Sequence, residues 1–274
     1  MPDKPSVSDA AWSRQALESE LASALETGQF FLVYQPTIDL QTNAFAGVEA
    51  LIRWRHPERG VVNPEVFISE LEASGQIVPV GRWALGTACA QGAIWHDRGY
   101  RFAVSVNISV KQLELSAFVD DVASALSASR FDPALLVLET SQEALLADES
   151  LTTQRLSELK ALGVRLAVDD FAPGDTPLAD LAKFPIDIVK LDKNFIAGIT
   201  NSPEAAALIH TLVQLARALG VQIIASGIED AEQRRRLAIE EVSIGQGFHF
   251  SKPQEAQEID RYLEDFAIFS GKPL

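Results

Sequence analysis

The chain has 274 residues, 47% hydrophobic and 22% charged, a composition that supports a large folded core. Its formal net charge of −15 excludes a broad surface for DNA, RNA or anionic membranes, which needs clustered Lys and Arg. A single cysteine, Cys89, excludes an intrachain disulfide, and no stretch approaches the ~18 consecutive apolar residues of a membrane span.

The start "MPDKPSVSDA" lacks a basic segment followed by an apolar run, so no secretory signal is expected and the cytoplasm is the expected location. Residues 1–8 read as a flexible tail. "SDAAWSRQALESELASAL" then predicts an amphipathic helix, capped by Ser8 or Asp9, with Trp12, Leu17, Leu21 and Leu25 near one face. Two apolar runs follow, "FFLVYQP" and "FAGVEALIRW". The connection "TIDLQTNA" is too short for a crossover helix, so these strands should pair antiparallel.

From there strands alternate with helices. Buried-strand candidates are residues 102–109, 135–140, 165–170, 186–192, 221–226 and 244–250. "KALGVRLAVDD" and "RALGVQIIASG" end two helices alike, with Gly163 and Gly220 at the position where a left-handed residue closes a helix. "GTACAQGA" places Cys89 as a small buried helix residue, and "QRRRL" (233–237) reads as a solvated helix face. Both members of the hairpin bring the count to eight strands. That predicts an α/β fold, a TIM-like (β/α)8-type barrel with its first strand antiparallel to the others, plus the N-terminal helix. An open doubly wound sheet is the alternative, disfavoured because no Gly-rich phosphate turn follows an early strand. No linker rich in Pro, Gly or Ser divides the chain, so residues 9–268 read as one domain, followed by a C-terminal tail over 269–274.

In such a barrel the chemistry gathers where strands end. The strand ends deliver Glu49 with Arg53, Asn107, Glu139, Asp169 with Asp170, Lys190, Ser226 with Glu229, and Gln246. Each has a plain structural reading: a turn for Asn107, a helix cap for Glu139 or Asp169, neutralisation of a carboxylate for Lys190. Jointly, four carboxylates and an amide oxygen make an all-oxygen site suited to Mg²⁺ or Mn²⁺. Adjacent Asp169 and Asp170 repel one another unless a cation neutralises them. Two cations and a lysine would also attract a phosphodiester. The four histidines show no ligand spacing, and His249 is expected in the barrel wall.

"VEALIRWRHP", with Glu49-Ala50-Leu51 inside it, is joined by "YQPTIDL", "SVNIS", "LAVDDF", "IDIVKLDKNFI" and "QGFHFSKP" in order. Together these blocks resemble the EAL-domain family of cyclic di-GMP phosphodiesterases, over roughly Leu17 to Phe266. The resemblance implies a barrel with a reversed first strand and a two-metal centre that cuts one phosphodiester of cyclic di-GMP to give linear pGpG. It assigns Glu49, Asn107, Glu139 and Asp169 to the first metal and Asp170 to the second. Lys190 and Gln246 then stand beside the attacking water. Gln35, Leu51, Arg53 and Glu229 belong to the nucleotide site with Glu49, Asn107, Asp169 and Lys190. Arg53 suits a phosphate because guanidinium is a fixed fork of donors. The resemblance also implies a homodimer through helices and loops near the aspartates, and an attached sensory or GGDEF module or another protein partner.

Four departures stand out, one of them "EEVSIGQG" in place of a Gly-Cys-Asp type segment before the glutamine. "ASGIE" puts Ser226 where active members carry a glutamate, and a neutral hydroxyl is a poor base. "ETSQ" puts Gln142 in place of the glutamate that steadies the loop after the aspartates. "DDFAPGD" replaces that loop's usual Gly-Thr-Gly, and Pro173 removes a backbone donor and restricts Ala172. The expected function is a cyclic di-GMP receptor with impaired catalysis. An active Mg²⁺- or Mn²⁺-dependent phosphodiesterase and a protein-interaction domain that has lost the nucleotide are the alternatives.

Overall fold

The structure is a computed structural model that describes Trp12, residues 14–172, Leu181 and residues 183–270. The proposed cap at Ser8 or Asp9 and the segment Pro173–Asp175 lie outside the described residues.

Two long strands open the barrel, β1 (Phe30–Asp39) and β2 (Phe45–His56). They pair antiparallel from Phe30↔Trp54 to Ile38↔Phe45, as the short connection requires. β3 (Gly60–Val62), not foreseen in the sequence, folds back on the end of β2 outside the barrel wall. β4 (Ala103–Asn107), β5 (Leu136–Ser141), β6 (Arg165–Phe171), β7 (Ile188–Leu191), β8 (Gln222–Ala225) and β9 (Ile244–Gln246) continue in parallel with β2. β9 then meets β1 antiparallel and closes the eight-stranded ring. One strand therefore runs against the other seven.

The helices pack around this ring. α1 (Arg14–Ala24) precedes it, and α2 (Pro64–Ser74) and α3 (Ile77–Asp97) link β3 to β4. Cys89 is fully buried on α3, as expected. α4 (Gln142–Ala147) and α5 (Glu149–Ala161) follow β5; α6 (Pro203–Leu219) precedes β8, and α7 (Ala231–Ile239) follows it. α8 (Ala256–Ser270) ends the described chain, two residues beyond the expected domain limit. Gly163 and Gly220 adopt φ of 92° and 72°, the left-handed exits read from the sequence. The basic run lies on α7, where Gln233 and Leu237 are buried while Arg235 pairs with Glu232 on the outer face.

The largest apolar cluster lies between strands and helices; Val104, Leu138, Val168, Val189 and Ala225 point outward into it. A smaller cluster of Val137, Ala167, Ile188, Ile224 and Ile244 fills the barrel interior. Because strand side chains alternate, the next inward residue on four of these strands is polar: Glu139, Asp169, Lys190 and Gln246. The apolar plug thus carries a polar layer on its C-terminal side. A third cluster joins α1 to the far end of β2 through Leu21, Phe30, Trp54 and Phe67. Among the described residues no helix is long and apolar enough to cross a membrane.

Two expectations are corrected. Residues 244–250 do not form one strand: β9 stops at Gln246 and the chain turns through Gly247–Phe250. His249 consequently leaves the wall and is exposed in that turn. The cause is close packing, since a Cβ on Gly247 would stand 2.0 Å from the carbonyl oxygen of Ile228.

Candidate active site

The sheet register assembles the polar layer. Gln35 on β1 lies opposite Glu49 on β2, and Asn107 on β4 lies beside Glu139 on β5. Gln246 Nε2 donates to Gln35 Oε1 at 3.0 Å and to Glu49 Oε2 at 2.7 Å, so β9, β1 and β2 are bonded into one floor. Asn107 Nδ2 donates to Glu49 Oε1 at 2.7 Å. At the centre is Lys190, 2% exposed. Its Nζ donates to Glu139 Oε2 at 2.5 Å, Glu49 Oε2 at 3.0 Å and Asp169 Oδ2 at 3.1 Å.

β6 is irregular where it delivers the aspartates. Its pairing with β7 breaks register between Val168 and Phe171, a bulge of the kind that re-aims side chains beside active sites. Asp170 takes φ of 51°, left-handed backbone that is unusual for a residue other than glycine, and its N–H is held by Asp169 Oδ1 at 2.9 Å. Both carboxylates line the same cleft, although regular strand alternation would send them to opposite faces. Desolvation at the rim and then the charge of Asp169 push the Asp170 carboxyl above its ordinary range.

The buried groups respond to their neighbours. Burial pushes the Glu139 carboxyl up to about 8, with Lys190 pulling against it and Glu49 and Asp169 adding to it. Burial also acts on Glu49, but Lys190 and the amides of Gln246 and Asn107 outweigh it and hold that carboxyl low. The same carboxylates keep Lys190 charged against its burial. This is a cluster in which charge is expensive to bury and is balanced in place.

Above the polar layer is a cleft of about 400 Å³. Of the residues singled out in the sequence, Gln35, Glu49, Leu51, Asp169, Asp170, Lys190, Ser226, Glu229 and Gln246 line it. Asn107 and Glu139 do not; they bond the lining residues Glu49 and Lys190. Arg53 stands two residues beyond Leu51, outside the lining, with its guanidinium on the carbonyl of Ile52 at 2.7 Å. The cap role considered for Glu139 is filled instead by Ser141, whose hydroxyl accepts from Ala144 N. Ser226 brings a buried hydroxyl oxygen with no hydrogen-bond partner, as does the Oε1 of Gln246.

The cleft also includes Lys193, Gly247 and Phe248, which the sequence reading passed over. The repeated lysine in "KLDKNF" and an exposed aromatic after "QG" were the available signals; Phe248 is 61% exposed at the rim. A second cavity of about 310 Å³ shares Leu51 with the cleft and is lined chiefly by apolar residues of β2, α2 and α3.

The donor set suits a hard cation. One oxygen each from Glu49, Glu139 and Asp169 lie within 4.8 Å of one another, and no thiolate or imidazole is among them. Asn107 keeps its amide oxygen available as a fourth donor, because its nitrogen is the atom that serves Glu49.

A closed barrel with one reversed strand and an acidic, lysine-centred cluster at the C-terminal ends of its strands defines a (β/α)8-type protein whose carboxylates could hold a metal ion. The EAL domain family model matches residues 18–253, and the chain belongs to that family. It is 35% identical over 250 residues to the cyclic di-GMP phosphodiesterase PdeR of Escherichia coli K12, covering 91% of this chain and 38% of that protein. It is 34% identical over 241 residues to the bifunctional diguanylate cyclase/cyclic di-GMP phosphodiesterase MucR of Pseudomonas aeruginosa, covering 88% and 35%. The chain thus spans less than two fifths of these relatives' length. The solved MucR phosphodiesterase in complex with cyclic di-GMP superposes with a TM-score of 0.84 at 34% identity, covering 89% of this chain and 99% of that one. The FimX EAL domain of P. aeruginosa, at 22% identity, shares the fold with a TM-score of 0.80.

Proposed function

We propose that this domain is a cyclic di-GMP receptor whose hydrolytic step is impaired. The observation that carries the reading is Ser226, a neutral hydroxyl facing a cleft whose remaining wall keeps the residues that would hold the nucleotide. Gln246 already bonds both Gln35 and Glu49. Such a framework offers fixed polar groups to a ligand without reorganisation.

The chemistry follows from the same residues. Glu49, Asn107, Glu139 and Asp169 would hold a divalent ion, with Asp170 serving a second. Such ions polarise a phosphodiester and make bound water more acidic. Lys190 supplies a fixed positive charge at the cleft floor. Glu229 and Arg53 flank the cleft for the nucleotide. A serine cannot take a proton from water at neutral pH as a carboxylate can, and loss of one positioned acid–base group costs about 10²–10⁴ in rate.

The second reading is an active metal-dependent phosphodiesterase, supported by the intact Glu49–Glu139–Asp169 cluster and by the named activities of its relatives. One experiment separates the two. Cyclic di-GMP is titrated by calorimetry with and without Mg²⁺, and pGpG is followed chromatographically in Mn²⁺. Binding with negligible product supports the receptor; rapid turnover supports the enzyme and refutes the weight given to Ser226. No heat at high micromolar protein refutes both.

A further inference from the structure

Lys193 and Ser226 meet on one wall of the cleft. Ser226 N donates to Leu191 O at 3.1 Å, two residues before the lysine. Gly227 lies so close that a Cβ there would stand 2.3 Å from Lys193 Cβ. The lysine stem therefore leaves the chain directly beside the serine. Neither side chain is engaged. The Ser226 hydroxyl oxygen is buried without a hydrogen-bond partner, and the exposed Lys193 ammonium has no hydrogen bond or ion pair among the described residues.

Charge decides what such a pair can hold. Among the described residues, the carboxylates of Glu49, Asp169, Asp170 and Glu229 line the cleft against two lysines. Lys190 is already bonded to Glu49, Asp169 and Glu139. Lys193 is thus the lining cation left for a ligand. An anion is repelled over most of this cleft and attracted where that charge stands. We propose that Lys193 and Ser226 form an anion subsite that takes one phosphodiester group of the ligand. The ammonium donates to one non-bridging oxygen and the hydroxyl to another. That the anion is a phosphate of cyclic di-GMP rests on the receptor reading; the subsite itself rests on the pair. Ser226 then does more than lack a carboxylate. A carboxylate at 226 would take the lysine as its own partner and repel a phosphate, whereas the hydroxyl leaves the lysine free and adds a donor.

The competing account is a solvated surface lysine beside an unused hydroxyl. Calorimetric titration of cyclic di-GMP in metal-free buffer, at low and high salt, distinguishes them. Lys193→Gln should bind about tenfold more weakly and lose part of the salt dependence. Lys193→Arg, which keeps the charge, should stay near the parent. Ser226→Glu should also weaken binding, because its carboxylate claims the lysine. A Lys193→Gln variant within about twofold of the parent, with the same salt dependence, overturns the proposal. If the parent binds no cyclic di-GMP, the receptor reading fails and the subsite is decided with inorganic phosphate. In ¹³C-lysine-labelled protein the Lys193 side-chain resonance, assigned by its loss in Lys193→Gln, should move with millimolar phosphate in the parent and not in Ser226→Glu. A resonance that phosphate leaves unmoved in the parent overturns the subsite.

Discussion

Gly247→Ala tests how the two loops that bound the cleft are held together. A Cβ at Gly247 would lie 2.0 Å from the carbonyl oxygen of Ile228 and 2.3 Å from its nitrogen. Both are backbone atoms, so no side chain can swing aside. Two hydrogen bonds tie the loops at this point, Ile228 N to Gln246 O at 2.9 Å and His249 N to Ile228 O at 3.0 Å. Relieving the clash requires a separation of at least about 1 Å, which weakens both. Overpacking costs about 1–3 kcal/mol and each lost bond about 0.5–1.5 kcal/mol, so destabilisation should be about 2–6 kcal/mol. At about 2–4 °C per kcal/mol for a chain of this size, the melting temperature should fall by roughly 8–16 °C near the middle of that range. Ser226, Glu229 and Phe248 ride on these loops, so cyclic di-GMP affinity should fall by roughly tenfold or more as the cleft wall is displaced. Thermal unfolding followed by circular dichroism and a calorimetric titration measure the two effects. A melting point within about 1 °C of the parent and an unchanged affinity would refute the close-approach argument.

Arg53→Ala should leave stability nearly unchanged, because the guanidinium bonds the carbonyl of the neighbouring Ile52, yet weaken cyclic di-GMP by roughly 10–100-fold; equal binding by calorimetry would remove Arg53 from the nucleotide site. The Glu139 carboxyl is raised from its ordinary 4.5 to about 8, so its stabilising contribution is full below about pH 4.5 and lost as pH rises through about 8. A divalent ion must displace that proton, and Mn²⁺ affinity should climb with pH across this window by up to about tenfold per unit. Calorimetry in buffers of different ionisation heat should show proton release near pH 7, and a pH-independent affinity without release would contradict it. Ser226→Glu should tighten Mn²⁺ binding while leaving pGpG formation slow, since Gln142 and the loop after Asp170 are also changed; full turnover in the product assay from this one substitution would show that the loop is no second defect.

The barrel was legible because its signals are local and repeated. Apolar runs alternate with helical periodicity, two helices exit through glycine, and one connection is too short for anything but a hairpin. The polar layer was legible for a different reason: Glu49, Glu139, Asp169 and Lys190 follow apolar runs where a charge is costly to bury alone. What the sequence hid depends on contacts between distant segments. The end of β9 at Gln246 is set by the packing of Gly247 under Ile228, and His249 is exposed as a consequence. The bulge at Asp169–Asp170 and the left-handed backbone of Asp170 carry no composition signal. Arg53 sits on the expected strand but outside the cleft lining, because its orientation depends on its surroundings and not on strand alternation alone. Lys193 and Phe248 lie on segments following strands, where no periodicity marks a residue as facing a site.

The wiring of the cleft bears on how a receptor and an enzyme can share one barrel. Gln246, Gln35 and Glu49 sit on β9, β1 and β2, three neighbours in the ring, and hydrogen bonds connect all three side chains. Asn107 extends this network to β4 and Lys190 draws in β5 and β6. Ser226 follows β8 and its hydroxyl bonds none of them. Its backbone is placed independently, by the N–H that donates to Leu191 O at 3.1 Å. A side-chain change at 226 can therefore remove a catalytic group without loosening any residue that would hold the nucleotide. A change at Gln246 would instead take one hydrogen bond from Gln35 and one from Glu49. Under the proposed reading, chemistry and binding are separable in this domain because Ser226 lies beside the hydrogen-bonded floor and not within it.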